Sequence, residues 1–489
     1  MGLFLQIPYN QAMQRLAHWP LPVRIAGLVI ILAVGMIAIN AYRNDQLLQK
    51  ARLAVAANDP MAALFLAQAA EVFPSRNELW EEAGYQALRH EEEDAALAYF
   101  ARAQAEAVLS ADGWIAYGEV YDQRGDHRQA KLVWEAAVAF DPSNAEAFRK
   151  LASVYHKEGD WDAAATALKQ LIKLQPGNAE ARFQLGLVLT SSAPQEAITY
   201  FVQAADLDPS FQADSDLMRR ALREQLATEE AAYGAILTGQ ALAGVGQWRL
   251  AAENFIQAIE QDIEYAEAWA YLGEAKQRLG QGGMEELETA LLLNPDSLAA
   301  NIFTGLYWQR NNRPDQAVLY LGKAAELAPG NPSVLVDLGR ATAEAGDLTT
   351  ALAHFKDATA LVPQNSRYWI ALAEFTLDFE VFIAEEGLPA ARRALELAPA
   401  DPAVLVANGR VAYLLEDQVN ARRYYEQAIL VAPEYAPTYL HLGLFYLAQG
   451  DLLLAESAFS NAVEIDSHGT TGEQAQQLLD QFFPKYQDD

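Results

Sequence analysis

The chain has 489 residues, of which 52% are hydrophobic; it contains no cysteine, and its formal net charge at pH 7 is -30. The lack of cysteine excludes disulfides, thiolate metal ligands, cysteine nucleophiles and lipidated cysteine anchors. Phosphate binding needs clustered Lys and Arg, so the acidic excess argues against a nucleic-acid partner and favours basic or neutral protein partners.

The first 44 residues contain no acidic residue, and residues 1–22 form a leader ahead of a long apolar segment. This leader is predicted either to lie as a short helix in a membrane interface or to fray as a tail. The apolar residues that favour the interfacial helix are Leu3, Phe4, Leu5, Ile7, Met13, Leu16 and Trp19.

Residues 23–42 read VRIAGLVIILAVGMIAINAY, in which only Arg24 and Asn40 are strongly polar. As a helix this segment is about 30 Å long, which matches the hydrocarbon core of a bilayer. Trp19, which precedes the segment, and Tyr42, which ends it, lie where interfacial aromatic residues are expected. We interpret the segment as one transmembrane helix that anchors the chain in the cell membrane. The alternatives are a cleaved signal, with a marginal site at Ala41, and a buried core helix.

Basic residues flank both ends of this segment, so their count does not settle its orientation. The acid-free leader and the acidic remainder favour an arrangement in which the bulk of the chain is extracytoplasmic. No Pro or Gly occurs between Met36 and Asn58. The transmembrane helix is therefore predicted to continue without a break into the next segment.

From residue 43 onward the same residue types recur with a period near 34. With Ala111 as position 1, positions 4, 7, 8, 11, 20, 24, 27 and 32 are Trp114, Tyr117, Gly118, Tyr121, Ala130, Trp134, Ala137 and Pro142. Twelve copies begin near residues 43, 77, 111, 145, 179, 232, 266, 298, 332, 366, 402 and 436. This pattern resembles the tetratricopeptide repeat, which has those residue types at those offsets.

The resemblance implies an all-α fold, a right-handed superhelical solenoid of about twelve helix-turn-helix repeats preceded by one transmembrane helix. Large residues at positions 4, 7, 11 and 24 lie at helical spacing on the faces that the two helices of a copy turn toward each other. Small residues at positions 8, 20 and 27 allow the backbones to approach. Proline near position 32 ends the second helix.

The period is interrupted at two places, and the first of them divides the repeats into two groups. Repeats 1–5 occupy residues 43–210, an inserted helix occupies 211–231, and repeats 6–12 occupy 232–469. Residues 470–489 are predicted to form a capping helix and a tail. The tenth repeat also gains two residues, which are predicted to lengthen its first helix and extend an aromatic stripe of Phe375, Phe379 and Phe382.

The sequence predicts no catalytic, cofactor-binding or metal-binding residue, and hence neither an enzyme nor a small-molecule substrate. The seven histidines are scattered and form no HExxH motif,. The glycines at 280–283 fall at a turn between repeat helices and lack the Lys and Ser or Thr of a phosphate loop.

The resemblance implies that positions 5, 9, 12 and 13 of each first helix face a concave groove. On this basis the predicted protein-binding residues are Phe183, Leu187, Ile302, Leu306, Val406, Arg410, Tyr413, Leu440 and Leu444. Apolar patches with occasional arginines suit an extended peptide or a partner's helix. Internal packing of these residues is the alternative. One subfamily of these repeats binds acidic chain ends through a two-carboxylate clamp, which has Lys at position 5 and Asn at position 9. These residues are missing from the first four copies.

These features predict a membrane-anchored, protein-binding scaffold or assembly factor for a membrane or cell-envelope complex. One alternative is a permanent structural subunit of a large membrane complex. Another is a regulatory module of a separately encoded membrane enzyme, such as a glycosyltransferase. The predicted partners are proteins of the membrane or envelope.

Overall fold

The computed structural model describes residues 20–467 and 469–484. Within these ranges the chain forms 26 α-helices and no β-strand, which confirms the all-α class. The chain divides into two compact units, Met1–Arg220 and Ala221–Asp489. The predicted interfacial helix of the leader lies outside the described residues.

The first unit consists of helices α1 to α10, a 3-10 turn and most of α11. Their bounds are Leu21–Ala56 (α1), Ala62–Val72 (α2), Glu78–Arg89 (α3), Glu93–Ala105 (α4), Ala111–Gln123 (α5), His127–Phe140 (α6), Ala145–Glu158 (α7), Trp161–Leu174 (α8), Ala179–Val188 (α9), Pro194–Leu207 (α10), Pro209–Phe211 (3-10) and Gln212–Ala227 (α11).

The second unit consists of the end of α11 and fifteen further helices. Their bounds are Ala231–Gly244 (α12), Trp248–Gln261 (α13), Ala266–Arg278 (α14), Met284–Leu293 (α15), Leu298–Arg310 (α16), Pro314–Leu327 (α17), Pro332–Glu344 (α18), Leu348–Leu361 (α19), Ser366–Asp378 (α20), Leu388–Leu397 (α21), Pro402–Leu414 (α22), Gln418–Val431 (α23), Ala436–Gln449 (α24), Leu452–Ile465 (α25) and Thr470–Phe482 (α26).

The helix boundaries follow the period of the sequence. In nine repeats, from α5 at Ala111 to α24 at Ala436, the first helix begins at the residue predicted to start that copy of the repeat. Asp and Asn side chains cap many of them by accepting hydrogen bonds from the first turn, as Asn144 does from the Ala147 amide at 3.0 Å,. Local capping and the repeat period therefore specify the same elements.

In seven repeats a glycine at position 8 of the first helix lies against the side chain at position 24 of the second helix. A Cβ added to Gly84 would lie 2.7 Å from the ring of Phe100, and one added to Gly443 would lie 2.5 Å from that of Phe459. Both rings are fully buried. Position 8 is small because the aromatic ring occupies the space that a side chain would need.

Helix α1 is 36 residues long and joins the apolar amino-terminal segment to the first repeat without a break. Near its carboxyl end Ala51 is fully buried in the first unit's core. Toward its amino end the apolar side chains project from the protein, and Ile31 and Ile37 are 69% and 68% exposed. This is the one described helix long and apolar enough to cross a membrane.

The sequence predicts that the two additional residues of the tenth repeat lengthen its first helix. The structure shows that this prediction is wrong. Helix α20 ends at Asp378, and the chain forms one π-helical turn at Ile383–Gly387 before α21. Phe382 adopts a left-handed conformation with φ of 54° at the start of that turn. The insertion is therefore accommodated in the turn between α20 and α21.

Candidate functional site

Four of the nine predicted groove residues are buried, which contradicts their assignment to an accessible surface. Leu187 is fully buried, and Phe183, Val406 and Leu440 are 5–6% exposed. The ring of Phe183 lies 5.4 Å from Phe201 and 5.0 Å from Phe211. Phe211 belongs to the 3-10 turn that follows the fifth repeat, so this additional element covers the predicted groove position.

Val406 and Leu440 are buried by the ordinary core of the last repeats. Val406 belongs to an apolar cluster with Leu405 and Phe445. Leu440 packs in a cluster with Phe459 and with Ala475 of the terminal helix α26. Internal packing, the alternative reading of these positions, is therefore correct for four of the nine residues.

The other five predicted residues remain accessible to different degrees. Leu444 is exposed, whereas Ile302, Leu306, Arg410 and Tyr413 are half-buried. The guanidinium of Arg410 donates to the carboxylate of Asp378 at 2.8 Å. Arg410 is therefore already paired with an acidic residue of the neighbouring first helix, α20.

In the second unit, position 9 of several first helices carries a charged residue. Glu274 at position 9 of the seventh repeat is almost fully buried. Its carboxylate accepts hydrogen bonds from Arg278 at 2.8 Å and from both terminal nitrogens of Arg310 at 2.7 and 2.8 Å. Arg310 also donates to Gln277 at 2.8 Å. These residues form the closed charge cluster, in which each charge is paired.

Two repeats further along, the first helices of the ninth and tenth repeats line a cavity of about 420 Å³. Its lining consists of residues from first helices or from a helix cap, namely Ser333, Val336, Asp337, Arg340, Ser366, Arg367, Tyr368, Ile370, Ala371, Glu374 and Asp401. A second cavity of about 240 Å³ adjoins it and shares Arg340, Ala371 and Glu374. Together they form a groove along α18 and α20.

Asp337, Arg340, Arg367 and Glu374 form the open charge cluster of this groove. Among the described residues, none of their four side chains makes a hydrogen bond or an ion pair. Asp401, by contrast, caps α22 by accepting a hydrogen bond from the Ala403 amide at 2.9 Å. The Ser333 and Tyr368 hydroxyl groups lie 3.1 Å apart.

The pKa values of both carboxylates in the open charge cluster are raised. Burial raises the pKa of Asp337, and the guanidinium groups of Arg340, Arg367 and Arg310 offset only part of that effect. Burial and the negative charge of Asp378 raise the pKa of Glu374, against the lowering influence of Arg340 and Arg410. Shifts of this kind concentrate at functional sites because binding groups are held there without full compensation.

None of the nine predicted groove residues belongs to the open charge cluster, although part of its pattern is visible in the sequence. Position 9 carries Arg340, Glu374 and Arg410 in three successive repeats. Of these three residues, only Arg410 is among the nine predicted groove residues. Alternating charges at one repeat position are the signal that points to this groove.

No group of three His, Asp or Glu residues able to hold a metal ion occurs in residues 20–467 and 469–484. The glycines at 280–283 form the turn between α14 and α15, where Gly280, Gly282 and Gly283 have positive φ. This turn needs the left-handed conformations that glycine adopts without strain.

Solved helical-repeat structures match between 44% and 89% of the chain at low sequence identity. The APC/C hetero-tetramer Cut9-Hcn1 gives 12% identity, covering 89% of this chain and 96% of that chain, with a TM-score of 0.43. Yeast Tom70 gives 15% identity, 84% and 96% coverage and a TM-score of 0.41. Pseudomonas aeruginosa pilF gives 21% identity, 44% and 98% coverage and a TM-score of 0.34. Comparison with curated proteins gave no match.

Family models described as tetratricopeptide repeat match residues 111–154, 236–280, 309–375 and 420–470. A further model, described as TPR repeat, matches residues 152–191. The matched segments lie in both units and follow the helix pairs described above. Such repeats generally form non-catalytic scaffolds for protein interaction. The period, the helix pairs and the family models agree, and the chain belongs to the tetratricopeptide-repeat family.

Proposed function

We propose that this protein is a membrane-anchored scaffold that holds protein partners of a membrane or cell-envelope complex. The observation that carries the proposal is helix α1, which is at once a candidate membrane span and part of the first repeat. A flexible tether would leave the repeats free to rotate. An unbroken helix instead fixes the first repeat relative to the bilayer.

The continuity of α1 favours an anchor over a cleaved signal. Cleavage near Ala41 would cut inside a continuous helix whose later turns, including Ala51 and Ala54, are buried in the first unit. The exposure of Ile31 and Ile37 argues against a buried core helix, since large apolar side chains cost free energy in water,. A bilayer would cover them.

The groove along α18 and α20 is the proposed contact surface for a partner. It combines charged groups without partners in the described chain with the apolar side chains of Val336 and Ile370. A cavity of about 420 Å³ is within the usual range of binding pockets,. We propose that the repeats lie on the extracytoplasmic side, because the acidic residues all follow the candidate span.

Two measurements test this proposal. The full chain should remain in native membranes after alkaline carbonate washing, and a mild-detergent pull-down should recover a constant, stoichiometric set of membrane or envelope proteins. Release by carbonate would contradict the anchor, and recovery of no reproducible partner would contradict the scaffold. Because the chain lacks cysteine, a Val419→Cys variant labelled by a membrane-impermeant maleimide reports the side of the repeats; Val419 is 81% exposed.

A further inference from the structure

The open charge cluster has its acidic and basic groups arranged across the groove from one another. Arg340 on α18 and Glu374 on α20 both occupy position 9 of their repeats. Asp337 lies one turn before Arg340, and Arg367 lies two turns before Glu374. The guanidinium groups of Arg340 and Arg367 both act to lower the pKa of Asp337, and that of Arg340 acts to lower the pKa of Glu374. Each helix that lines the groove therefore carries one acidic and one basic residue of the cluster.

These opposite charges do not close into ion pairs because the space between them is left open. Ala371, a small residue, lies in the lining of both cavities. In the closed charge cluster, by contrast, Arg310 reaches Glu274 from the next first helix and binds it through two nitrogens. The two clusters have only repeat position 9 in common, which carries Glu274 in one and Arg340 and Glu374 in the other, and the open cluster retains room for a group from outside.

We propose that the open charge cluster binds an extended segment of a partner protein that carries one acidic and one basic side chain close together. The partner's carboxylate pairs with Arg340 and Arg367, and its cation pairs with Asp337 and Glu374. Ile370 and Val336 provide the apolar floor for the stems of these side chains,. This inference rests on the proposed scaffold function and specifies the chemistry of its contact site.

A segment of a single charge sign suits the groove less well. An acidic segment would meet the two arginines but would also lie against two partly desolvated carboxylates. A basic segment would meet those carboxylates but would be repelled by the arginines. Only a segment of both signs pairs all four groups, and like-charge contacts are what exclude the other two classes. The raised pKa values of both carboxylates agree, because neither is fully compensated in the unoccupied groove.

The test uses the purified full chain in mild detergent and fluorescein-labelled ten-residue peptides with blocked ends. The peptides share an Ala, Gly and Ser background and differ in a central Lys-Gly-Glu, Glu-Gly-Lys, Lys-Gly-Lys, Glu-Gly-Glu or Ala-Gly-Ala. Fluorescence anisotropy should show at least one mixed-charge peptide binding about tenfold more tightly than each of the other three classes.

Two double variants localise the binding. Asp337→Asn with Glu374→Gln, and Arg340→Gln with Arg367→Gln, should each weaken the mixed-charge peptide about tenfold. The matched control is Arg422→Gln with Glu426→Gln, which removes an exposed pair of 2.8 Å on α23 and should leave binding unchanged. Thermal melting of each variant verifies that the repeats stay folded.

The inference is overturned if single-sign peptides bind as tightly as mixed ones, if no peptide binds, or if the double variants bind like the control. These failures differ from failure of the proposed function. A native partner recovered equally by wild type and by both double variants would leave the scaffold in place and remove this site from it. Recovery of no partner by the wild type would contradict the scaffold itself.

Discussion

The fifth repeat and the ninth and tenth repeats use the same positions of the first helix in opposite ways. In the fifth, Phe183 and Leu187 at positions 5 and 9 are buried, and Phe211 packs 5.0 Å from Phe183. In the ninth and tenth, position 9 carries Arg340 and Glu374, which line an open groove. A repeat position decides which face a side chain is on, whereas residue polarity and the neighbouring element decide whether that face is covered.

The largest expected effect comes from placing a charge at the covered position. Leu187→Glu should lower the free energy of unfolding by more than about 4 kcal/mol, because a fully buried site would receive an unpaired carboxylate. Thermal melting followed by circular dichroism, with limited proteolysis, measures the effect. The matched control is Leu444→Glu, also at position 9 but exposed, which should change stability by less than about 1 kcal/mol. Equal melting of the two variants would remove the contrast between covered and open repeats.

The next effect distinguishes the closed from the open charge cluster. Glu274→Gln should destabilise the second unit by about 2–3 kcal/mol, because it leaves Arg278 and Arg310 without their shared carboxylate,. Glu374→Gln makes the same chemical change in the open cluster and should cause no loss. Chemical denaturation of both variants at pH 7 makes the comparison. A loss at Glu374 as large as that at Glu274 would show that the open cluster is a structural ion-pair network.

A smaller effect is expected at the contact between positions 8 and 24. Gly84→Ala should cost about 1–2 kcal/mol, because the new Cβ would lie 2.7 Å from the Phe100 ring, which would have to shift,. Gly177→Ala serves as the control, since nothing lies within 4 Å of its added Cβ. The difference between their melting temperatures measures how tightly position 8 is packed. If both variants melt alike, the close approach of the two helices is not limiting.

The smallest effect concerns the pH dependence of the open charge cluster. Its carboxylates have raised pKa values in the folded protein, so their favourable contribution is complete below the unfolded pKa and is lost as pH rises through the folded one. Asp337→Asn with Glu374→Gln should therefore stabilise the protein at pH 7, by less than about 1 kcal/mol. This advantage should diminish toward about pH 4, where the wild-type carboxylates become protonated. Thermal melts at both pH values provide the check, and a double variant less stable at pH 7 would contradict the assigned direction.

The repeat architecture was predictable because each repeat encodes it locally. Gly118 and Trp134 lie 16 residues apart at positions 8 and 24, and this spacing identifies the two helices that must meet. The start of α18 at Pro332 follows from the same frame. Contacts between neighbours in the period, repeated along the chain, leave little freedom for a different fold.

The candidate site was less predictable because it depends on contacts outside the repeat frame. Phe211 covers Phe183 from an element that interrupts the period, so no repeat position encodes that contact. Arg410 reaches Asp378, whereas Arg340 makes no ion pair with Glu374, although both arginines occupy position 9. Side-chain conformation and the separation of neighbouring helices decide such pairing, and neither is written in the spacing of residues.

Site-specific photo-crosslinking in native membranes tests the central claim most directly. A benzophenone amino acid would replace Ile370, which lines the groove, or Arg422, which lies on the exposed pair of α23. The account predicts that the probe at residue 370 forms a discrete crosslink to a membrane or envelope protein that also co-purifies with the wild-type chain, while the probe at residue 422 does not. Crosslinking of that partner only from residue 422, or from neither position, would contradict the assignment of the groove as the site where this scaffold holds its partner.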